Sequence, residues 1–103
     1  MVRTTVFRDV EPIAGLDHLV DAFATLRTRD ELQRFLRDLC TLSELEALVH
    51  RWQIARLLDE GKLSYVEIAE RAGGSTATVT RVAQWLRAGA GGYLTALDRL
   101  RPQ

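Results

Sequence analysis

Between Glu70 and Asp98 the chain carries no acidic side chain, and that stretch opens with the hydroxyls of Ser75, Thr76, Thr78 and Thr80. From Gly73 onward, Arg81, Arg87, Arg99 and Arg101 stand against Asp98 alone. Hydroxyls donate to or accept from base edges and phosphates, and alanine and threonine methyls suit the methyl of thymine. A carboxylate in such a setting would be repelled by phosphate, so the acid-free gap fits non-covalent recognition of DNA. The groups for covalent or metal chemistry are missing. His18 and His50 are far apart, with no acidic or cysteine partner at metal spacing, so no metal site is expected. Cys40 is the only cysteine, which excludes an internal disulfide; beside Leu36, Leu39 and Leu42 it reads as core. No nucleophile–histidine–carboxylate set, paired catalytic carboxylates or phosphate-cradling loop before a lysine occurs. Neither an enzyme nor a cofactor is expected.

The residues of interest lie in the stretch 64–87, which predicts two short helices across a tight turn. Ser64 and Glu67 have the spacing of a capping box, opening a helix whose narrow apolar face is Ile68, Ala69 and Ala72. Gly73 and Gly74 follow and supply the positive φ that ends a helix and turns the chain. Ser75 or Thr76 caps the next helix, whose apolar positions Val79, Val82, Ala83 and Leu86 recur at helical spacing. This is the pattern of a helix-turn-helix, whose second helix has the DNA major groove as its natural partner.

The remaining elements must hold that pair in place. A helix from about Leu16 to Leu26 presents Leu16, Leu19, Val20, Phe23 and Leu26 on one face. Thr28 with Glu31 makes a second capping box, opening a helix to about Leu39 with the stripe Leu32, Phe35, Leu36 and Leu39. Thr41 with Glu44 makes a third, and the helix from Leu42 runs about eighteen residues, or ~27 Å, until Gly61 stops it. Trp52 and His50 lie on it, Trp52 as core or interface and His50 as a surface or interface residue. Gly89, Gly91 and Gly92 form a hinge, and Tyr93 to Leu100 a last short helix. The expected organisation is one domain over 1–103. It comprises an N-terminal arm (1–14), dimerisation helices (16–60), the helix-turn-helix (64–87) and a C-terminal helix (92–101). Arg3 and Arg8 lie on the arm.

The fold class is therefore all-α, with six helices and no strand. A chain of 103 residues in six helices has difficulty enclosing its own apolar faces. Leu16, Phe23, Leu32, Phe35, Leu48 and Trp52 predict an intertwined homodimer, which also gives a DNA reader its two-fold symmetry. With 47% hydrophobic and 27% charged residues the composition is that of a globular protein. No run of about 18 apolar residues and no signal-peptide pattern occurs, so a cytoplasmic protein without a membrane partner is expected.

The phrases DLCTLSELEAL (38–48), ARLLDEGKLSYVEIAE (55–70) and GGSTATVTRV (73–82) resemble the Trp repressor superfamily, closest to Trp-repressor-like proteins of the YerC/YecD type. The resemblance spans about residues 16–101. It implies a Trp-repressor-like fold, an intertwined homodimer and transcriptional regulation through operator DNA. By position it brings Thr76, Ala77 and Thr80 to base edges, and Ser75, Thr78 and Lys62 near phosphates or flanking groups. Arg81 and Arg87 add phosphate contacts. It also maps Thr41, Arg51 and Arg81 onto positions that approach the amino-acid corepressor. There this chain departs from the family: Val82 stands where a glycine is usual and Trp85 where a serine is usual. A branched side chain and an indole then take the corepressor's space, so L-tryptophan is not the expected effector, and another small molecule stays open.

Two functions compete. One is a homodimeric regulator on a palindromic operator. The other is a helix-turn-helix that serves as a protein-interaction module without DNA, favoured by the zero net charge and by Glu67 and Glu70.

Overall fold

The computed structural model describes residues 12–102. Among these are six helices: α1 (Leu16–Ala24), α2 (Arg29–Leu39), α3 (Leu42–Glu60), α4 (Tyr65–Ala72), α5 (Thr76–Ala88) and α6 (Gly92–Leu100). No strand occurs among the described residues. Most of the N-terminal arm, with Arg3 and Arg8, lies outside them.

Helix boundaries follow local hydrogen-bond chemistry. Thr41 and Glu44 form the expected reciprocal box at α3: the Glu44 amide donates to Thr41 Oγ1 at 3.1 Å and the Thr41 amide to Glu44 Oε1 at 2.8 Å. At α2 only half of the box forms. The Glu31 amide donates to Thr28 Oγ1 at 3.1 Å, but the Glu31 carboxylate accepts from the Arg27 amide at 2.7 Å instead. Glu31 thus satisfies the donor one residue further out, a consequence of its side-chain reach rather than of the motif. The first helix ends at Ala24, two residues before Leu26, where Thr25 Oγ1 donates to the Ala22 carbonyl at 2.7 Å.

The described residues form two compact units, 12–48 and 49–102, divided within α3. In the second, Ile54 and Ala55 of α3 meet Ile68 and Ala69 of α4 and Val79 and Val82 of α5. Ile54, Ile68, Val79 and Val82 are fully buried. Burying each such side chain is worth about 1.5–3 kcal/mol, and together they seat α4 and α5 on the C-terminal half of α3. Trp52 stacks on Tyr93 of α6 with ring centroids 6.3 Å apart and planes 11° from parallel. Arg101 closes the chain's end onto α3 through an ion pair to Asp59 at 2.6 Å.

The 12–48 unit is built differently. Phe23 and Phe35 meet edge to face at 5.1 Å, joining α1 to α2. No residue of this unit is fully enclosed, however, and Leu16, Val20, Leu32, Leu39, Leu42 and Leu48 are all exposed. Leu16, Leu32 and Leu48, expected at a subunit interface, are thus exposed in one protomer, while Phe23 and Phe35 are half-buried against each other.

Candidate nucleic-acid interface

The α4–α5 pair starts from the Ser64 capping box. The Ser64 amide donates to Glu67 Oε1 at 2.9 Å and the Glu67 amide to Ser64 Oγ at 3.2 Å. These bonds, the Ser64 backbone contribution first, hold the Glu67 carboxyl below its ordinary value of 4.5. Because the folded-state value is depressed, the stabilisation is present above the unfolded value and lost as pH falls through the lowered one. Acidification through that window is expected to fray the first turn of α4. The check is the protection of the Ser64 and Glu67 amides relative to their intrinsic exchange rates, which should fall through that window in the parent and stay level in Glu67→Gln.

Gly73 ends α4 with φ +78° in the left-handed region, and the Gly74 amide donates to the Ala69 carbonyl at 2.9 Å. Gly73 alone supplies the positive φ of this turn; Gly74 is a glycine for another reason. A Cβ on Gly74 would stand 2.6 Å from both Cε1 and Nε2 of His50. The imidazole is half-buried, its Nε2 enclosed and without a hydrogen-bond partner. His50 therefore underlies the turn instead of lying on the helix surface. Sequence reasoning missed this; the one available signal was a second glycine where the turn needs only one. Gly74→Ala should cost about 1–3 kcal/mol by overpacking, measured by thermal melting. His50→Ala in the same chain should recover most of that loss, and additive losses would contradict the contact.

Ser75 caps α5: its Oγ accepts the Thr78 amide at 3.3 Å and lies 3.3 Å from Thr78 Oγ1. Thr80 Oγ1 donates to the Thr76 carbonyl at 2.9 Å. Thr76, Ala77, Thr80, Arg81 and Arg87 are exposed and Thr78 half-buried, while Val79, Val82 and Ala83 on the opposite side are buried. One face of α5 is locked into the core and the other is left free, at the positive end of the helix. Lys62 is exposed in the connection before α4.

The effector positions have roles of their own. Thr41 caps α3 in the 12–48 unit. Arg51 and Arg81, in the 49–102 unit, are exposed. Val82 is fully buried among core side chains, and Trp85 is half-buried. Trp85 walls a cleft of about 450 Å³ with Trp52, Tyr93 and the 89–92 backbone; Arg51 and Arg81 are not in its lining. Among the described residues no group of three metal-binding side chains occurs, and no helix is long and apolar enough to cross a membrane.

An all-helical fold of six elements that presents one exposed, acid-free helix face is the class of protein this chain belongs to. A family model described as Trp repressor protein matches residues 14–101, and the chain belongs to the Trp repressor family. It is 41% identical over 86 residues to the protein YerC of Bacillus subtilis, covering 84% of this chain and 82% of that one. It is 42% identical over 64 residues to the Trp operon repressor homolog of Chlamydia trachomatis serovar D, covering 58% and 68%. The solved structure of a TrpR-like protein from Eubacterium eligens superposes with a TM-score of 0.78 at 36% identity, covering 85% and 90%.

Proposed function

We propose that the chain is a sequence-specific DNA-binding transcriptional regulator, a repressor acting in the cytoplasm as a homodimer on a palindromic operator without L-tryptophan as effector. The observation that carries this is the division of α5. Val79, Val82 and Ala83 fix the helix in the core, while Thr76, Ala77, Thr80 and Arg81 stand exposed with no carboxylate among them. In this reading α4, the turn and α5 form a helix-turn-helix, and the start of α5 enters the major groove. Thr76, Ala77 and Thr80 meet base edges. Lys62, Ser75, Thr78, Arg81 and Arg87 meet phosphates.

The dimer is supported by the 12–48 unit, whose open apolar face has no cover in one protomer. A second copy buries it and sets two α5 helices one duplex turn apart. Independence from tryptophan is supported by Val82, a branched side chain fully buried in the core, and by Trp85, a half-buried indole, at the two positions where the family is usually small. Thr41, Arg51 and Arg81 then act as a helix cap, a surface charge and a phosphate contact.

Selection of bound duplexes from a random library by the purified chain tests the reading. Two inverted half-sites with centres about 34–36 Å apart are expected. Three phosphate-contacting cations per protomer, Lys62, Arg81 and Arg87, predict a slope of log affinity on log salt of about −5 for the dimer. The competing reading, an interaction module, draws support from Tyr65 and Val66, which are exposed on α4, Val66 at 58%. Absent enrichment, or binding that salt does not weaken, would decide for it.

A further inference from the structure

The bonding of Thr80 restricts what the exposed face of α5 can read. A free threonine hydroxyl is indifferent between donor and acceptor edges of bases. Thr80 is not free in this sense: its Oγ1 hydrogen is directed at the Thr76 carbonyl at 2.9 Å. The oxygen keeps its outward lone pairs, so toward a ligand it is an acceptor only. Guanine offers acceptors, N7 and O6, on its major-groove edge, whereas adenine N6 and cytosine N4 offer N–H donors. Along residues 72–80 no Arg, Lys, Asn or Gln is present to make the bidentate contacts that read guanine or adenine directly. Beside Thr80 on the exposed face lie Thr76 one turn earlier and Ala77, both small and exposed. The Ala77 methyl has no charged neighbour on the first turn of α5, and it matches an apolar edge. The one such edge in the major groove is the C5-methyl of thymine.

From these features we infer that Thr80 and Ala77 together specify an A·T pair or step: Thr80 accepts a hydrogen bond from adenine N6, and Ala77 packs on the thymine methyl. This rests on the DNA-binding reading and goes beyond it by assigning the base and the direction of the hydrogen bond. Cytosine presents an amino group too, but its pair has no methyl, so the two residues jointly favour A·T. Arg81, next along the helix and exposed, is left to phosphate.

The experiment takes a duplex enriched by the full chain and replaces the adenines of one half-site singly by purine, which lacks the 6-amino group. One adenine is expected whose replacement weakens binding of the parent chain by about three- to tenfold, the worth of one net hydrogen bond. The Thr80→Val chain, equal in shape but with no acceptor, should bind both duplexes equally; Thr80→Ser should restore the difference. Replacement of the partner thymine by uracil should weaken the parent chain and leave Ala77→Gly unaffected. Circular dichroism establishes that each variant is folded. If every adenine replacement costs the parent and Thr80→Val the same, or if the half-site selects guanine at the position that Thr80→Val relaxes, the inference is overturned and the DNA reading stands. If no duplex is enriched at any salt concentration, both fall together.

Discussion

Ile68→Ala will lower stability by about 2–5 kcal/mol, the usual range for emptying a fully enclosed aliphatic site. Ile68 is fully buried in α4, in the same cluster as Ile54 of α3 and Val79 of α5. Its enclosed neighbours Ile54, Val79 and Val82 are β-branched, with few rotamers by which to collapse into the cavity. Small domains hold only about 5–15 kcal/mol in total, so the change takes a large fraction of what is available. At about 4–8 °C per kcal/mol for a domain near this size, the melting temperature should fall by at least about 8 °C. The loss reaches function through position, since Ile68 and Val79 are what seats α4 against α5. DNA binding should fall with the folded fraction and return on cooling, whereas a melting temperature within 3 °C of the parent, a shift of under about 1 kcal/mol, would show that this cluster does not govern the fold.

Local features were legible in the sequence and distant ones were not. The Ser64–Glu67 and Thr41–Glu44 boxes, the Gly73 turn and the limits of α3 and α6 depend on residues within four or five positions of one another. Side-chain reach and backbone sterics decide them, so they can be read from spacing. The Thr28 box shows the limit even there, because Glu31 could satisfy either of two adjacent amides and took that of Arg27. Burial was legible within the 64–87 stretch, where Ile68, Ala69, Val79, Val82 and Ala83 follow the helical stripes and are enclosed with Ile54 and Ala55. Leu16, Leu32 and Leu48, which size assigned to a subunit interface, are exposed in one protomer, and Phe23 and Phe35 are half-buried against each other. Where α4 meets α5, small and β-branched residues fill the contact, whereas Leu16, Leu32 and Leu48 stay exposed in a single protomer. The His50–Gly74 contact and the Arg101–Asp59 ion pair join residues 24 and 42 positions apart, and no periodicity encodes either. Within the candidate interface, the exposed hydroxyl face of α5 follows from helical spacing, but the direction of the Thr80 hydroxyl is set by its rotamer, which spacing does not encode.

The second large effect is expected at that hydroxyl. Thr80→Glu should leave the fold almost untouched, because Thr80 is exposed and glutamate is a good helix former. Surface changes of this kind stay within about 0.5 kcal/mol, so circular dichroism and sedimentation should match the parent chain. If α5 reads the groove as proposed, operator binding should nevertheless weaken by at least about thirtyfold, since the longer, charged side chain displaces a base contact worth about 1–3 kcal/mol in each half-site. A carboxylate is an acceptor as well, so loss of acceptor chemistry is not the cause. The longer side chain carries a full negative charge into a groove flanked by phosphates, on a helix face that has no acid between Glu70 and Asp98. Repulsion of that kind weakens as salt is added, so the penalty should be largest at low ionic strength. Arg87→Ala gives the contrasting signature: a uniform loss over all sequences, with the salt slope of the dimer reduced by about 2. Fluorescence anisotropy on the selected duplex at several salt concentrations separates the two. Thr80→Glu bound at parental affinity would remove α5 from the groove, and with it the assignment of this helix as the reading element.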